Sequence, residues 1–512
     1  MGTRRWWTLG AVMLSVLAVS LDITVLNVAL PTLSADLKAS ETQLQWFSSA
    51  YTLVLGAMML PAGLLGDRYG RKKVMLFSLA LFAAGSLACA YSRTPAEFIA
   101  ARVLLGCAGA GVGVLSISAL TVMFSDEERP KAMGIWAAVN LIAVPIGPIL
   151  GGWLLSHFWW GWVFLMNVPA ALLGFAASAI LVPESSSAVR PRIDAVGVVS
   201  SSAGLAAVIY GFIYAGEHGW GSAGTIAWLV AGLAVLVAFY YWEHVLDRRP
   251  GGQPLVELRL FRSPSFTWGS ILYAVLTLAL VGLLFLMPQY FQGVLGTTAE
   301  GSGVRLLPSV GGLLLGVLPS AAVAKAIGAK LTVAIGFAIL CAGLALGATT
   351  MLSSGQGFTA AWLAIAGVGT GFTLPTAAST ALAELSQEHA GVGSGALQAL
   401  KNTGAPLGSA VLGTLLSSAY VNHLALPGYP PKVAAIVHQS VFGGVEVAGV
   451  LHSPALLTAV RAAFVHGVDV ALVVCAGFAA AGMLLSLLFL PARPHPEDQP
   501  GQDVTGETRI AV

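Results

Sequence analysis

GLLGDRYGRKK, residues Gly63 to Lys73, sets five charges (Asp67, Arg68, Arg71, Lys72 and Lys73) within seven residues, and the flanking runs are almost free of charge. Of the 512 residues, 57% are hydrophobic and 9% charged, where soluble domains carry about 25% charged residues. The mean hydropathy of +0.83 extends over the whole chain, so the apolar character is not that of one local anchor. The composition is that of an all-α membrane protein crossing the bilayer many times. A net charge of +2, with no basic stripe interleaved with aromatics, excludes a nucleic-acid partner. Cys89, Cys107, Cys341 and Cys475 sit in or at the end of apolar runs without a CxxC, and the nine histidines lack ligand spacing. Buried packing cysteines are expected, with no disulfide framework, metal or cofactor.

A span needs about 20 mostly apolar residues. By that measure the chain offers fourteen, at residues 7–30, 44–65, 74–92, 97–123, 132–155, 161–182, 195–214, 223–242, 266–291, 304–323, 331–351, 358–383, 392–418 and 467–490. The first run is too long for a signal peptide and no small-x-small cleavage site follows it, so it is expected to be retained. Polar breaks divide the chain into an N-terminal six-helix unit (1–183), two linker spans with flanking loops (184–264), a C-terminal six-helix unit (265–490) and a Pro-rich tail (491–512) expected to be disordered. Outside the spans, about eighteen Lys and Arg fall on the side of the N-terminus and about five on the other, which predicts that both termini are cytoplasmic.

The two six-span units echo each other. Ala324 to Lys330, AKAIGAK, occupies the place of the opening stretch, and GAPLGSA (Gly404 to Ala410) that of IGPILGG (Ile146 to Gly152). A six-span repeat of this kind is common in transporters, with the substrate path between the halves near the midplane.

In the opening stretch, Gly63, Gly66 and Gly70 allow close approach and a tight turn. Asp67 is expected to face a neighbouring helix N-terminus, where the helix dipole favours negative charge. Arg68, Arg71 and Lys72 suit carboxylates or acidic lipid headgroups. A positive-inside stop signal explains the bases but not the aspartate and glycines, so a conformational latch of Gly63, Asp67, Arg68, Gly70, Arg71 and Lys72 is the expected reading.

These residues resemble the signature between spans 2 and 3 of the major facilitator superfamily. LDITVLNVALP (Leu21 to Pro31) is similar to the first-span motif of its fourteen-span drug:proton antiporters, the EmrB/QacA type. RVLLGCAGAG (Arg102 to Gly111) resembles the fourth-span motif, with Leu105 where a glutamine is usual. AVPIGPILGG (Ala143 to Gly152) resembles the fifth-span antiporter motif, with Ala143 where a glycine is usual. WGWVFLMNVP (Trp160 to Pro169) and GVGSGALQALKNTGAPLG (Gly391 to Gly408) are similar to the family's span-6 and span-13 stretches, Gly161 standing where an arginine is usual. The likeness covers residues 1–490. It implies the major facilitator fold, proton coupling through Arg102, and an antiporter motif of Gly147, Pro148, Gly151 and Gly152 that keeps the bundle interface tight.

Asp22 lies inside span 1, roughly 13 Å from Pro31 at about 1.5 Å per residue. An acid at that depth costs about 2.5–3.5 kcal/mol to insert and should face the protein interior. Arg102 has a compatible depth. Either it snorkels to the interface, or it pairs with deprotonated Asp22 and is released when Asp22 is protonated. An arginine keeps its proton, so it would tune the carboxyl rather than carry the proton. Asn27, Trp136, Asn140, Phe285, Gln289, Gln292, Gln398, Lys401 and Asn402 are candidates for a substrate cavity, with helix packing as the alternative for each. No further acid is expected deep in a span, Asp469 reading as close to a span end, which favours neutral or singly cationic amphipathic substrates.

No GxxxxGK[ST], HExxH or GxSxG occurs, so neither ATP nor covalent catalysis is expected to drive the protein. An ion gradient remains, and one charge moved through 100 mV is worth about 2.3 kcal/mol. The expected function is proton-coupled efflux of antibiotics or other hydrophobic toxic compounds by a monomer in the cell membrane. The alternative is a proton-coupled exporter or symporter of a specific metabolite on the same fold. A membrane-embedded lipid enzyme would need a paired catalytic set, and none is found.

Overall fold

The computed structural model describes residues 2–124, 128–185, 194–249, 254–255, 258–383, 390–426 and 429–491. The expected tail disorder therefore falls outside the described residues. Every long element is a helix: α1 Gly2–Leu37, α2 Glu41–Tyr69, α3 Arg71–Ala90, α4 Pro95–Met123, α5 Arg129–His157, α6 Trp162–Leu165, α7 Asn167–Leu181, α8 Ala195–His218 and α9 Ala223–Arg248 in the first part of the chain. After them come α10 Pro264–Gln289, α11 Ala299–Arg305, α12 Leu307–Ile327, α13 Ala329–Gly347, α14 Gln356–Leu382, α15 Ala390–His423, α16 Pro431–Gln439, α17 Val441–Val450 and α18 Pro454–Phe489. Among the described residues, 13 helices or helix pairs are long and apolar enough to cross a membrane. The remaining expected span, 132–155, lies in α5, a helix of 29 residues.

Local chemistry sets the helix starts. Ser40 and Gln43 form a capping box on α2, and Thr94 accepts the Glu97 amide ahead of Pro95 at the start of α4. Ser453 and Pro454 likewise open α18. That helix begins well before the expected residue 467, because the cap outweighs Arg461 and His466, which only interrupt the apolar run. Between the expected spans 392–418 and 467–490, α15 reaches His423 and two short helices, α16 and α17, precede α18.

The sequence echo is present in the backbone. Gly70 joins α2 to α3 at φ 110°, and Gly328 joins α12 to α13 at φ 89°, a region where a side chain is strained. Each glycine amide closes the helix before it, on Gly66 and Ala324 respectively. Small residues set the tightest helix contacts, as expected where lipid tails give no hydrophobic drive to association. Gly312 and Gly316 of α12 lie on the backbone of α14, whose Gly367 and Gly371 lie in turn on the backbone of α12. Two of the cysteines, Cys89 and Cys475, are buried, and all four are free thiols.

Helices α8 and α9 pack on each other, and α8 leans on α2 and α15. Only 11% of the apolar window of α9 is buried, against 72% in the helix that begins with α10. The linker pair is therefore peripheral, and α1 and α10 are central.

Candidate functional site

Asp22 and Arg102 meet in the core. Asp22 is 2% exposed and Arg102 1%, and Arg102 Nη1 donates to Asp22 Oδ2 in an ion pair. The surroundings fix both groups. Asn167 Nδ2, at the start of α7, donates to Asp22 Oδ1 at 3.0 Å. Arg102 Nε donates to the Phe47 carbonyl at 3.0 Å, and its guanidinium lies 4.3 Å from the centre of the Tyr51 ring. Burying two charges in hydrocarbon is tolerable only when both are paired and their remaining bonding capacity is met. Four helices, α1, α2, α4 and α7, meet that condition. Arg102 does not snorkel. Asn167 and Tyr51 were missed by sequence reasoning, although Asn167 lies within the quoted WGWVFLMNVP; no spacing rule connects it to a residue 145 positions away.

The antiporter-motif glycines pack α5 against α1 beside this pair. A Cβ at Gly151 would lie 2.6 Å from Val25 Cγ1, and one at Gly147 would overlap Thr24. The same helix meets the other half of the molecule. A Cβ at Gly152 would lie 2.7 Å from the Ala299 carbonyl oxygen, and Gly303 of α11 rests on the Pro148 carbonyl. In the repeat-related place, Gly404 and Gly408 of α15 lie on the Ala274 and Leu278 carbonyls of α10. The fifth helix of each half thus uses glycine to seat on the first.

The charged stretch has a different geometry from the one expected. Asp67 Oδ1 accepts from Arg71 Nε at 2.8 Å, four residues on and across the Gly70 turn. It does not cap a neighbouring helix. Glu184, after α7, takes that place: its Oε1 accepts the Lys72 amide at 3.2 Å, and the Ser185 carbonyl accepts the Arg71 amide at 2.8 Å. A Cβ at Gly70 would lie 2.7 Å from that carboxylate. Gly66 and Gly63 face Leu115 and Val114 of α4, while Arg68 is exposed and lies over the Tyr69 ring. The correction follows from reach, since Asp67 finds a guanidinium four residues away before any helix end.

The nine cavity candidates differ in what holds them. Asn27, Phe285 and Gln289 are buried in packing, with Asn27 and Gln289 donating to carbonyls of their own helix. Gln292 donates to the Val28 carbonyl at 3.0 Å, and Asn402 Nδ2 meets Met59 Sδ at 2.9 Å; both contacts tie one half to the other. Trp136 Nε1 donates to Ser116, and Asn140 donates to the Trp136 carbonyl and accepts from Ser20. These two are half-buried, as are Gln398 and Lys401, whose ammonium is 6.0 Å from the Tyr273 ring. A cavity of about 940 Å³ opens elsewhere, between α2, α15, the linker helices and the short helix Leu258–Arg262, and none of the nine candidates lines it.

The Major Facilitator Superfamily sequence profile matches residues 12–195 and 187–409. The chain belongs to that family. It is 31% identical to the tetracenomycin C resistance and export protein of Streptomyces glaucescens, over 97% of this chain and 94% of that one. It is 30% identical to the multidrug efflux pump LfrA of Mycolicibacterium smegmatis, over 93% and 94% of the two chains. The methyl viologen resistance protein SmvA of Salmonella typhimurium is 32% identical over 95% and 97%. In fold, the chain matches a bacterial homologue of the human lysosomal transporter Spinster with a TM-score of 0.70, at 17% identity, covering 97% of this chain and all of that one.

Proposed function

We propose that the protein exports antibiotics or other hydrophobic toxic compounds across the cytoplasmic membrane in exchange for protons. The observation that carries the reading is the buried Asp22–Arg102 pair, held by Asn167 and the Phe47 carbonyl. The names of the relatives, which are resistance and export proteins, support the substrate class. Protonating Asp22 neutralises one member of the pair. Arg102 keeps its charge and then looks for another acceptor, so the contact that ties α1 to α4 loosens. Loss of the proton restores it.

The packing between halves supports alternating access. Residues 1–183 and 265–490 move as two six-helix units about the α2–α15 contact, with residues 184–264 forming a peripheral pair. On the face opposite the N-terminus, α5 seals against α11 and α1 touches α17, while among the described residues no comparable interface joins α4 to α14 at the other end. With both termini in the cytoplasm, this is an inward-facing arrangement closed to the outside. The Asp67–Arg71 pair and the Glu184 cap hold the α2–α3 turn as the latch. Amphipathic molecules, protons and membrane lipid are its partners, and the monomer is the working unit. The task is transport, with no bond made or broken in the substrate.

The test is a drug-susceptibility panel in a sensitive host, with and without expression, run on wild type and Asp22→Asn together. Resistance to at least one compound that Asp22→Asn abolishes is expected; equal resistance from both proteins removes the proton site.

A further inference from the structure

The cavity of about 940 Å³ beside the linker pair takes no part in the reading above. One wall is apolar and belongs to both halves: Ala57 and Leu60 come from α2, and Ala399 and Leu400 from α15. The halves meet at that wall, where a Cβ at Gly56 would lie 3.0 Å from Asn402 Cβ. The linker pair adds Leu236 and Phe239 of α9. The hydroxyls of Ser201 and Thr403, which also line it, are spent on carbonyls of their own helices. Such a lining offers water few partners.

Arginines gather at the other end. Arg248 is in the last turn of α9, about 18 Å from Leu236 at about 1.5 Å per residue, and Arg259 and Arg262 are on the short helix before α10. All three line the cavity and are exposed. Among the described residues the ion pairs are Asp22–Arg102 and Asp67–Arg71, so none of the three meets a carboxylate there. Two acids line the same cavity. Glu243 is fully buried and turned to the start of α8, where a Cβ at Gly197 would lie 2.5 Å from its Oε1. Asp247 is half-buried, which leaves one acid against three arginines. This end lies on the side of the N-terminus, cytoplasmic in the reading above.

We propose that the cavity binds an anionic phospholipid of the cytoplasmic leaflet, with its phosphate on Arg248, Arg259 and Arg262 and an acyl chain along α2 and α15. Basic pockets between membrane helices on that side suit anionic headgroups, and a guanidinium meets phosphate oxygens with two parallel donors. One apolar chain and one anionic head match the two ends of the cavity. A neutral exported compound fits the apolar wall and leaves the arginines unanswered, and a cationic one is repelled by them. The bound lipid touches both halves and the linker pair at once, joining to the bundle a helix whose apolar window is only 11% buried by protein. The inference goes beyond export and takes from the reading above only which leaflet the arginines face.

Lipid titration of the full chain in detergent, read by native mass spectrometry, tests it with dioleoyl phosphatidylglycerol and dioleoyl phosphatidylcholine as probes. Wild type should retain phosphatidylglycerol about tenfold better or more. Arg259→Gln and Arg262→Gln should each weaken that retention about fivefold, the value of one basic residue near a lipid surface. Lys325→Gln, an exposed base at the end of α12 and outside the cavity, should leave it unchanged. Ala399→Trp, which fills the apolar wall and keeps every arginine, should lose the lipid; should it fail to assemble, Ser201→Trp on α8 decides by the same readout. Equal retention of the two lipids overturns the site, as does wild-type binding by the tryptophan variant or a Lys325→Gln loss as large as the arginine variants show. Inorganic phosphate that displaces phosphatidylglycerol at equal concentration marks a free-phosphate site and overturns the lipid. No proton or exported compound enters the measurement, so this result and the antiport reading stand or fall separately.

Discussion

Asp22 of α1 and Asp469 of α18 are both carboxyl groups on long apolar helices, and the two halves treat them in opposite ways. Asp22 receives a guanidinium and an amide, and its arginine is anchored in turn by a carbonyl and a ring. Asp469 is half-buried, and its Oδ1 is left without a hydrogen bond. A paired acid can serve as a structural tie that a proton unfastens. Asp469 Oδ1 ties no second helix to α18.

The sharpest way to break that comparison is stability. Asp22→Ala strands the Arg102 charge in the core, and breaking a buried pair costs about 3–5 kcal/mol. Thermal unfolding in detergent should show a large drop, whereas Asp469→Asn, which strands no charge, should unfold within a degree or two of wild type. An equal loss in both would mean the two acids are held alike. Next in size, Asn167→Ala should cost about 1.5–3 kcal/mol, the value of a hydrogen bond to a charged group, and weaken resistance without abolishing it. Gly152→Val drives a side chain into the Ala299 and Glu300 backbone, an overpacking worth about 1–3 kcal/mol. It should loosen the α5–α11 seal, read as faster thiol labelling of a cysteine placed at Glu300. The smallest effect is at the latch. Glu184→Gln removes a charge from the start of α3, worth about 0.3–1 kcal/mol, and should alter stability slightly.

Much of this was legible in the residues. The run lengths gave the spans, because hydrocarbon thickness fixes how many apolar residues a helix needs. Asp22 and Arg102 stood out because each is an ionisable group where such groups are expensive. Asn167 did not stand out, since a single asparagine at a helix start is ordinary until an acid is found beside it. Asp67 was read one step too far, because sequence shows that a carboxylate is near a turn but not which of two positive groups it meets first. The start of α18 was placed too late because Arg461 and His466 break the apolar run, while the helix itself begins at Pro454.

The chain by itself determined the membrane as solvent, the number of long helices, the glycine turns at Gly70 and Gly328, and the two ionisable residues worth pairing. Those follow from local rules: apolar length, backbone freedom and the expense of charge in oil. Tertiary structure alone decided which partner each buried polar group received, that Glu184 and not Asp67 caps α3, and that Asp469 Oδ1 was left without a partner. Such choices depend on contacts between helices more than a hundred residues apart, and no local pattern encodes the distance between two side chains that only folding brings together.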